Sequence, residues 1–88
     1  MDDQFEKLRE LLKEQNYPSV YFYKFIIQND EEKMVEVKKC FSETAEFSSR
    51  SSKNGKYLSI SIKEMMLSTE DIIDRYKAVG QIKGVITL

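Results

Sequence analysis

From Phe5 to Leu12 apolar residues recur at helical spacing, at Phe5, Leu8, Leu11 and Leu12, while Glu6, Lys7, Arg9, Glu10, Lys13 and Glu14 cover the remaining face. The pattern predicts an amphipathic N-terminal helix within residues 1–16, with Asp2 or Asp3 as its cap and Asn16 before Tyr17 and Pro18 as its end. From Ser19 to Gln28 the period shortens to that of a strand. Tyr21, Tyr23, Phe25 and Ile27 fall on one side and Val20, Phe22, Lys24 and Ile26 on the other. The side holding Lys24 is expected to face away from the helices, because an unpaired ammonium in the core costs several kcal/mol.

Asn29 is the expected N-cap of the next helix, with Glu32 at N3 of a capping box and Met34, Val37, Cys40 and Phe41 as its buried stripe. A strand from Ala45 to Ser52 and another from Tyr57 to about Met66 flank Asn54 and Gly55, the residue types that take positive φ most easily. A two-residue type I′ turn is therefore expected there. That turn sets the register. Ser52 faces Tyr57, Arg50 faces Ser59, Ser48 faces Ser61 and Glu46 faces Lys63 on the polar side. On the other side Ser51 faces Leu58, Ser49 faces Ile60 and Phe47 faces Ile62.

Ser68 is the predicted cap of a last helix, with Leu67 and Ile72 spaced as a hydrophobic staple and Ile72, Ile73, Tyr76 and Val79 as its apolar face. Gly80 stands where an αL C-cap is expected, and Ile82 to Leu88 read as a final strand in which Gly84 marks a bulge. After Pro18 the order is βαββαβ. The expected fold class is thus α+β: a ferredoxin-like sandwich with an antiparallel four-stranded sheet and two helices on one face, spanning residues 17–88, plus the N-terminal helix of residues 1–16. The opposite sheet face is left without helices. On these strand phases it presents Phe22, Lys24 and Ile26, then Glu46 and Arg50, then Tyr57, Ser59, Ser61 and Lys63.

Eighty-eight residues support one core, burying about 60% of the surface of the unfolded chain. With 14 Lys and Arg against 15 Asp and Glu, no overall field draws the chain to nucleic acid or an anionic membrane. Cys40 is the sole cysteine and histidine is absent, so an internal disulfide is excluded and no zinc site is expected. Cys40 reads as a small buried apolar residue near a helix end. No secretory signal or spanning apolar run is visible, which makes the cytoplasm the expected compartment.

Tyr17, Pro18 and Ser19 leading into Tyr21, Tyr23 and Lys24, then Ser51, Ser52, Lys53, Gly55, Tyr57, Ser59, Ile60 and Ser61, and finally Gly80, Ile82 and Val85, give the region after Asn16 a resemblance to the small bacterial family typified by YbeD. This chain differs from that pattern by one more residue in the Lys53 to Tyr57 turn and by its longer charged N-terminal helix. The resemblance implies a ferredoxin-like fold similar to the ACT regulatory domain. It also implies a family of unknown function, with a proposed lipoate-regulatory role for YbeD itself and no established catalytic residues to transfer.

The residues themselves argue against an enzyme. Without histidine the usual general base is missing, no serine stands in a Gly-x-Ser-x-Gly elbow, and Gly55, Gly80 and Gly84 are explained by turn, cap and strand geometry rather than a phosphate loop. No cofactor and no metal are expected. An RNA-recognition-motif layout shares the element order and makes single-stranded RNA binding the alternative, with Phe22 and Tyr57 as stacking rings beside Lys24, Arg50 and Lys63. The alternating basic, glycine and aromatic signature of that motif is absent. The favoured expectation is a non-catalytic regulatory or adaptor domain that binds a protein partner, a second copy of itself or a small metabolite. Its expected surface comprises Phe22, Lys24, Arg50, Tyr57, Ser59, Ser61 and Lys63.

Overall fold

A computed structural model describes residues 4–88. The elements are α1 (Glu6–Leu12), β1 (Ser19–Gln28), α2 (Glu31–Lys38), β2 (Glu46–Ser51), β3 (Tyr57–Met66), α3 (Thr69–Gly80) and β4 (Ile86–Thr87). The sheet is antiparallel throughout, in the order β2-β3-β1-β4, so each βαβ connection crosses an intervening strand. This is the ferredoxin-like layout expected from the element order.

The alternation along β1 and β3 decides which face is buried. Tyr23, Phe25 and Ile27 from β1 and Ile60, Ile62 and Met66 from β3 pack with Val37 of α2 and with Ile72 and Val79 of α3. At roughly 1.5–3 kcal/mol for each large apolar side chain removed from water, this single layer is the main favourable term of the fold. An aromatic cluster runs through it. The Tyr23 ring stands 5.0 Å from Phe41 and 5.2 Å from Tyr76, both edge-on, a preferred orientation for paired rings.

Helix α1 packs against α3 and sends Leu12 into the same core. The Arg9 guanidinium donates to the Glu70 carboxylate at 2.7 Å, which ties the two helices together near the surface. The sheet face opposite the helices therefore stays open. The expected capping role of Asp2 or Asp3 lies outside the described residues, and the helix begins at Glu6 after Phe5, without a side-chain cap.

Local corrections to the sequence reading have physical causes. Asp30, not Asn29, caps α2, and its carboxylate accepts from the Glu32 N–H at 2.9 Å. Asn29 is held by the hairpin instead: its Nδ2 donates to the Gly55 carbonyl and its N–H to the Lys56 carbonyl, both at 2.9 Å. No capping box forms, since Glu32 falls one position too early relative to Asp30. The hairpin register is as expected, but the turn is not a two-residue type I′ turn. Gly55 alone takes positive φ, at 72°, and its N–H closes a turn onto the Ser52 carbonyl with Lys53 and Asn54 at the centre. Asn54 serves as an acceptor, taking hydrogen bonds from the Lys56 N–H and the Ser52 hydroxyl.

Ser68 caps α3 as expected, accepting from the Asp71 N–H at 3.1 Å. Leu67 remains largely exposed beside the fully buried Ile72, so the cap rather than a staple defines the helix start. Gly80 is the last helical residue and has no positive φ; Gly84 does, at 86°, in the turn before β4 rather than in a bulge. The final strand is accordingly short. Only Ile86 and Thr87 form the ladder, opposite Ile26 and Phe25, extended by the Leu88 N–H bonding to the Lys24 carbonyl.

Candidate functional site

The cross-strand register places every residue of the expected surface on the helix-free face. Phe22 lies opposite Lys63, Lys24 opposite Ser61, and Ser59 between Ile26 and Arg50, while Tyr57 lies opposite Gln28 at the hairpin end. Phe22, Lys24, Arg50, Tyr57, Ser61 and Lys63 are exposed and Ser59 is half-buried. The expected opposite-charge pair is present: Lys63 Nζ stands 3.4 Å from Glu46 Oε2.

The face divides into zones along the strands. At one end Val20, Phe22 and Met65 form an apolar patch, with Phe22 70% exposed, far more than a sheet residue of its size usually leaves in water. Below it a depression passes between Phe22, Lys24, Ser48, Ser61 and the Lys63–Glu46 pair. Further along, a second depression is bounded by Lys24, Ser48, Ser49, Arg50, Ser59 and Ser61, all polar or cationic. Ile86, facing Ile26, completes the surface on the β4 side.

Met65 and Ile86 were not among the expected surface residues. Met65 follows Lys63 at the strand period of two, which was a sufficient signal. Ile86 had none, because the phase of β4 depends on the backbone turn at Gly84. The two candidate stacking rings do not adjoin: Phe22 and Tyr57 are opposite Lys63 and Gln28, which places them about 20 Å apart along the sheet at a strand rise near 3.3 Å per residue. They cannot sandwich one base or stack consecutive ones.

A second polar cluster lies on the other side of the sheet. Glu64 is the single buried charged residue among the described residues, sitting in β3 where the alternation calls for an apolar side chain. Its carboxylate accepts from the Ser42 N–H at 3.0 Å and from the Ser42 hydroxyl, and is gripped by Arg75 of α3. Burial alone would raise its pKa, but the Ser42 hydrogen bonds and the guanidinium outweigh that and hold it below the ordinary carboxylate range. The cluster joins β3, α3 and the chain entering β2, a structural task.

Tyr23 and Tyr76 are pushed well above the usual phenol range, Tyr23 chiefly by burial and Tyr76 by burial and its hydroxyl contact with Tyr21 at 3.0 Å. Burial likewise raises the Cys40 thiol, whose sulfur lies 3.5 Å from the Glu36 carbonyl. Cys40 is half-buried rather than buried, and its raised pKa makes it a poor nucleophile.

Fold and surface together define a class: a small α+β domain of ferredoxin-like layout, with helices on one face of its sheet and a solvent-exposed face of mixed apolar and cationic character. Residues 13–88 match the family described as "Protein of unknown function (DUF493)", and the chain belongs to that family. The match begins just after α1 and includes the whole sheet. It agrees with the resemblance to the YbeD-like family. No curated protein and no solved structure matches the chain. Among the described residues no helix is long and apolar enough to cross a membrane.

Proposed function

We propose that this protein is a non-catalytic regulatory or adaptor domain whose open sheet face receives a partner. One observation carries the reading: the exposed aromatic ring of Phe22 stands with Val20 and Met65 at the head of a face lined by Lys24, Lys63 and Arg50. An exposed apolar anchor beside charged groups is an arrangement that protein recognition uses, aromatic side chains supplying much of the binding energy. The face has no structural duty that explains Phe22, since the core lies wholly on the other side of the sheet.

The test is affinity capture from the native host with the full chain and the variants Phe22→Glu, Arg50→Glu and Tyr57→Ala. All three side chains are exposed, so each variant is expected to fold as the parent does. Loss of the same captured component in Phe22→Glu and Arg50→Glu supports the reading. Undiminished capture by all three removes the face from consideration.

A further inference from the structure

The cations of the open face are not equivalent. Lys63 is neutralised by Glu46, the one acid on the strand positions of this face, whereas neither Lys24 nor Arg50 has an acidic partner among the described residues. The two stand on β1 and β2 with β3 between them, two strand spacings across and two residues along the sheet, about 12 Å apart at the backbone and within the combined reach of their long side chains. Between them lie Ser61, opposite both Lys24 and Ser48, and Ser59, opposite Arg50. The hydroxyls of Ser48, Ser59 and Ser61 have no protein hydrogen-bond partner among the described residues, so their donors are free to turn toward a ligand.

We infer that this basin, bounded by Lys24, Arg50, Ser48, Ser59 and Ser61, is a binding site for a phosphomonoester group. The inference deepens the reading of the face as a binding surface and rests on it. Two unneutralised cations match the charge of a phosphate dianion, where a carboxylate would leave one cation uncompensated. The guanidinium offers a planar fork to two phosphate oxygens, the ammonium a point charge, and the serines short O–H donors to the third oxygen. Unpaired cations gathered around hydroxyls, in a chain with a formal charge of −1, are a local departure from the balance of the rest of the sequence.

The shared chemistry is the phosphate ester, carried by a small metabolite or by a phosphorylated side chain. The experiment is an NMR titration of the full chain with glycerol phosphate, with a short phosphoserine peptide and with acetate, at pH 7.5 and constant ionic strength. Saturable shifts confined to the amides of Lys24, Ser48, Arg50, Ser59 and Ser61 are expected with the phosphate probes. Affinity is expected at least tenfold above that for acetate, and the tighter phosphate probe identifies the source. Arg50→Gln and Lys24→Gln are each expected to weaken binding at least tenfold, while Lys56→Gln, at the hairpin tip, leaves it unchanged. Lowering the pH to 5.5 protonates the ester to a monoanion and weakens binding further.

Equal affinity for acetate, shifts scattered over the surface, or unchanged binding in the Lys24→Gln and Arg50→Gln variants would mean a nonspecific ion effect only and overturn the inference. Partner capture that depends on Phe22 would survive that result, so the two readings fail separately.

Discussion

Arg75 lays its guanidinium along the Glu64 carboxylate, Nε to Oε1 at 2.9 Å and Nη2 to Oε2 at 3.3 Å, while Nη1 reaches the Cys40 carbonyl at 3.1 Å. One side chain of α3 thus fastens both a strand and the end of the α2 segment. The pair is unequal in burial: the Glu64 side chain is 2% exposed and that of Arg75 32%. Removing the arginine strands a buried charge, whereas removing the glutamate frees a cation that water can reach.

Arg75→Ala is therefore expected to destabilise the fold by about 2–4 kcal/mol, toward the lower part of the range for broken buried pairs because Arg75 is partly solvated. Urea unfolding followed by circular dichroism measures it. Glu64→Gln, which keeps the shape and an acceptor for Ser42, is expected to cost less than Arg75→Ala. The opposite order would mean that the Ser42 hydrogen bonds, rather than Arg75, chiefly hold the Glu64 carboxylate.

Glu64 also fixes the sign of the acid response. Its folded-state pKa lies below the unfolded value, so its contribution is fully present above the unfolded carboxylate range and is lost as pH falls through the folded pKa. Stability of the wild type is expected to fall more steeply than that of Glu64→Gln below about pH 4.5, near the unperturbed value for a glutamate. Tyr23 and Tyr76 act at the other end. Their folded pKa values are raised, so the unfolded chain loses its phenol protons first, and stability is expected to decline above about pH 10. Thermal midpoints of wild type and Tyr76→Phe across pH 9 to 11 test this, the variant showing the weaker decline.

The hairpin gives a different kind of prediction. Gly55 has φ of 72° with open space around the position a Cβ would take, so Gly55→Ala meets no clash and carries only the backbone cost. That cost is about 1–2 kcal/mol, the usual penalty of a left-handed alanine. Chemical denaturation reads it directly. Gly80→Ala is the contrast, because Gly80 is helical and has no positive φ. It is expected to stabilise the fold by up to about 1 kcal/mol through helix propensity.

These contrasts show where the chain was legible. Period-two alternation in β1 and β3 was enough to assign the buried and open faces, since a one-residue slip would have placed Phe25 and Ile60 in water. The surface residues followed from that phase. Two kinds of feature did not follow. Glu64 breaks the alternation and is tolerated only through Ser42 and Arg75, partners 22 and 11 residues away that no local pattern connects. The choice among Asn29 or Asp30, Gly80 or Gly84, was settled by tertiary demand: the hairpin loop claims the Asn29 amide, and the left-handed turn is needed only where the chain reverses into β4. The anion basin lay between the two: its residues and the pairing of Lys63 with Glu46 were visible in the sequence, but not that Lys24 and Arg50 have no acidic partner among the described residues.

The sharpest test of the architecture uses two phenylalanines on one strand. Phe25 is fully buried against Tyr23, Phe41 and Tyr76, and Phe22 points the other way with 70% of its surface in water. Phe25→Ala is expected to cost about 3–5 kcal/mol, the transfer free energy of the ring plus the cavity it leaves. Phe22→Ser is expected to change stability by less than about 0.5 kcal/mol, because little packing is lost and an exposed strand position tolerates a hydroxyl. Parallel urea curves give both values in one experiment. Equal losses would show that the two faces of β1 are both packed in solution, which requires something to cover Phe22. In that case the Phe22→Ser loss would depend on protein concentration for a self-associating chain and be independent of it for an intramolecular contact.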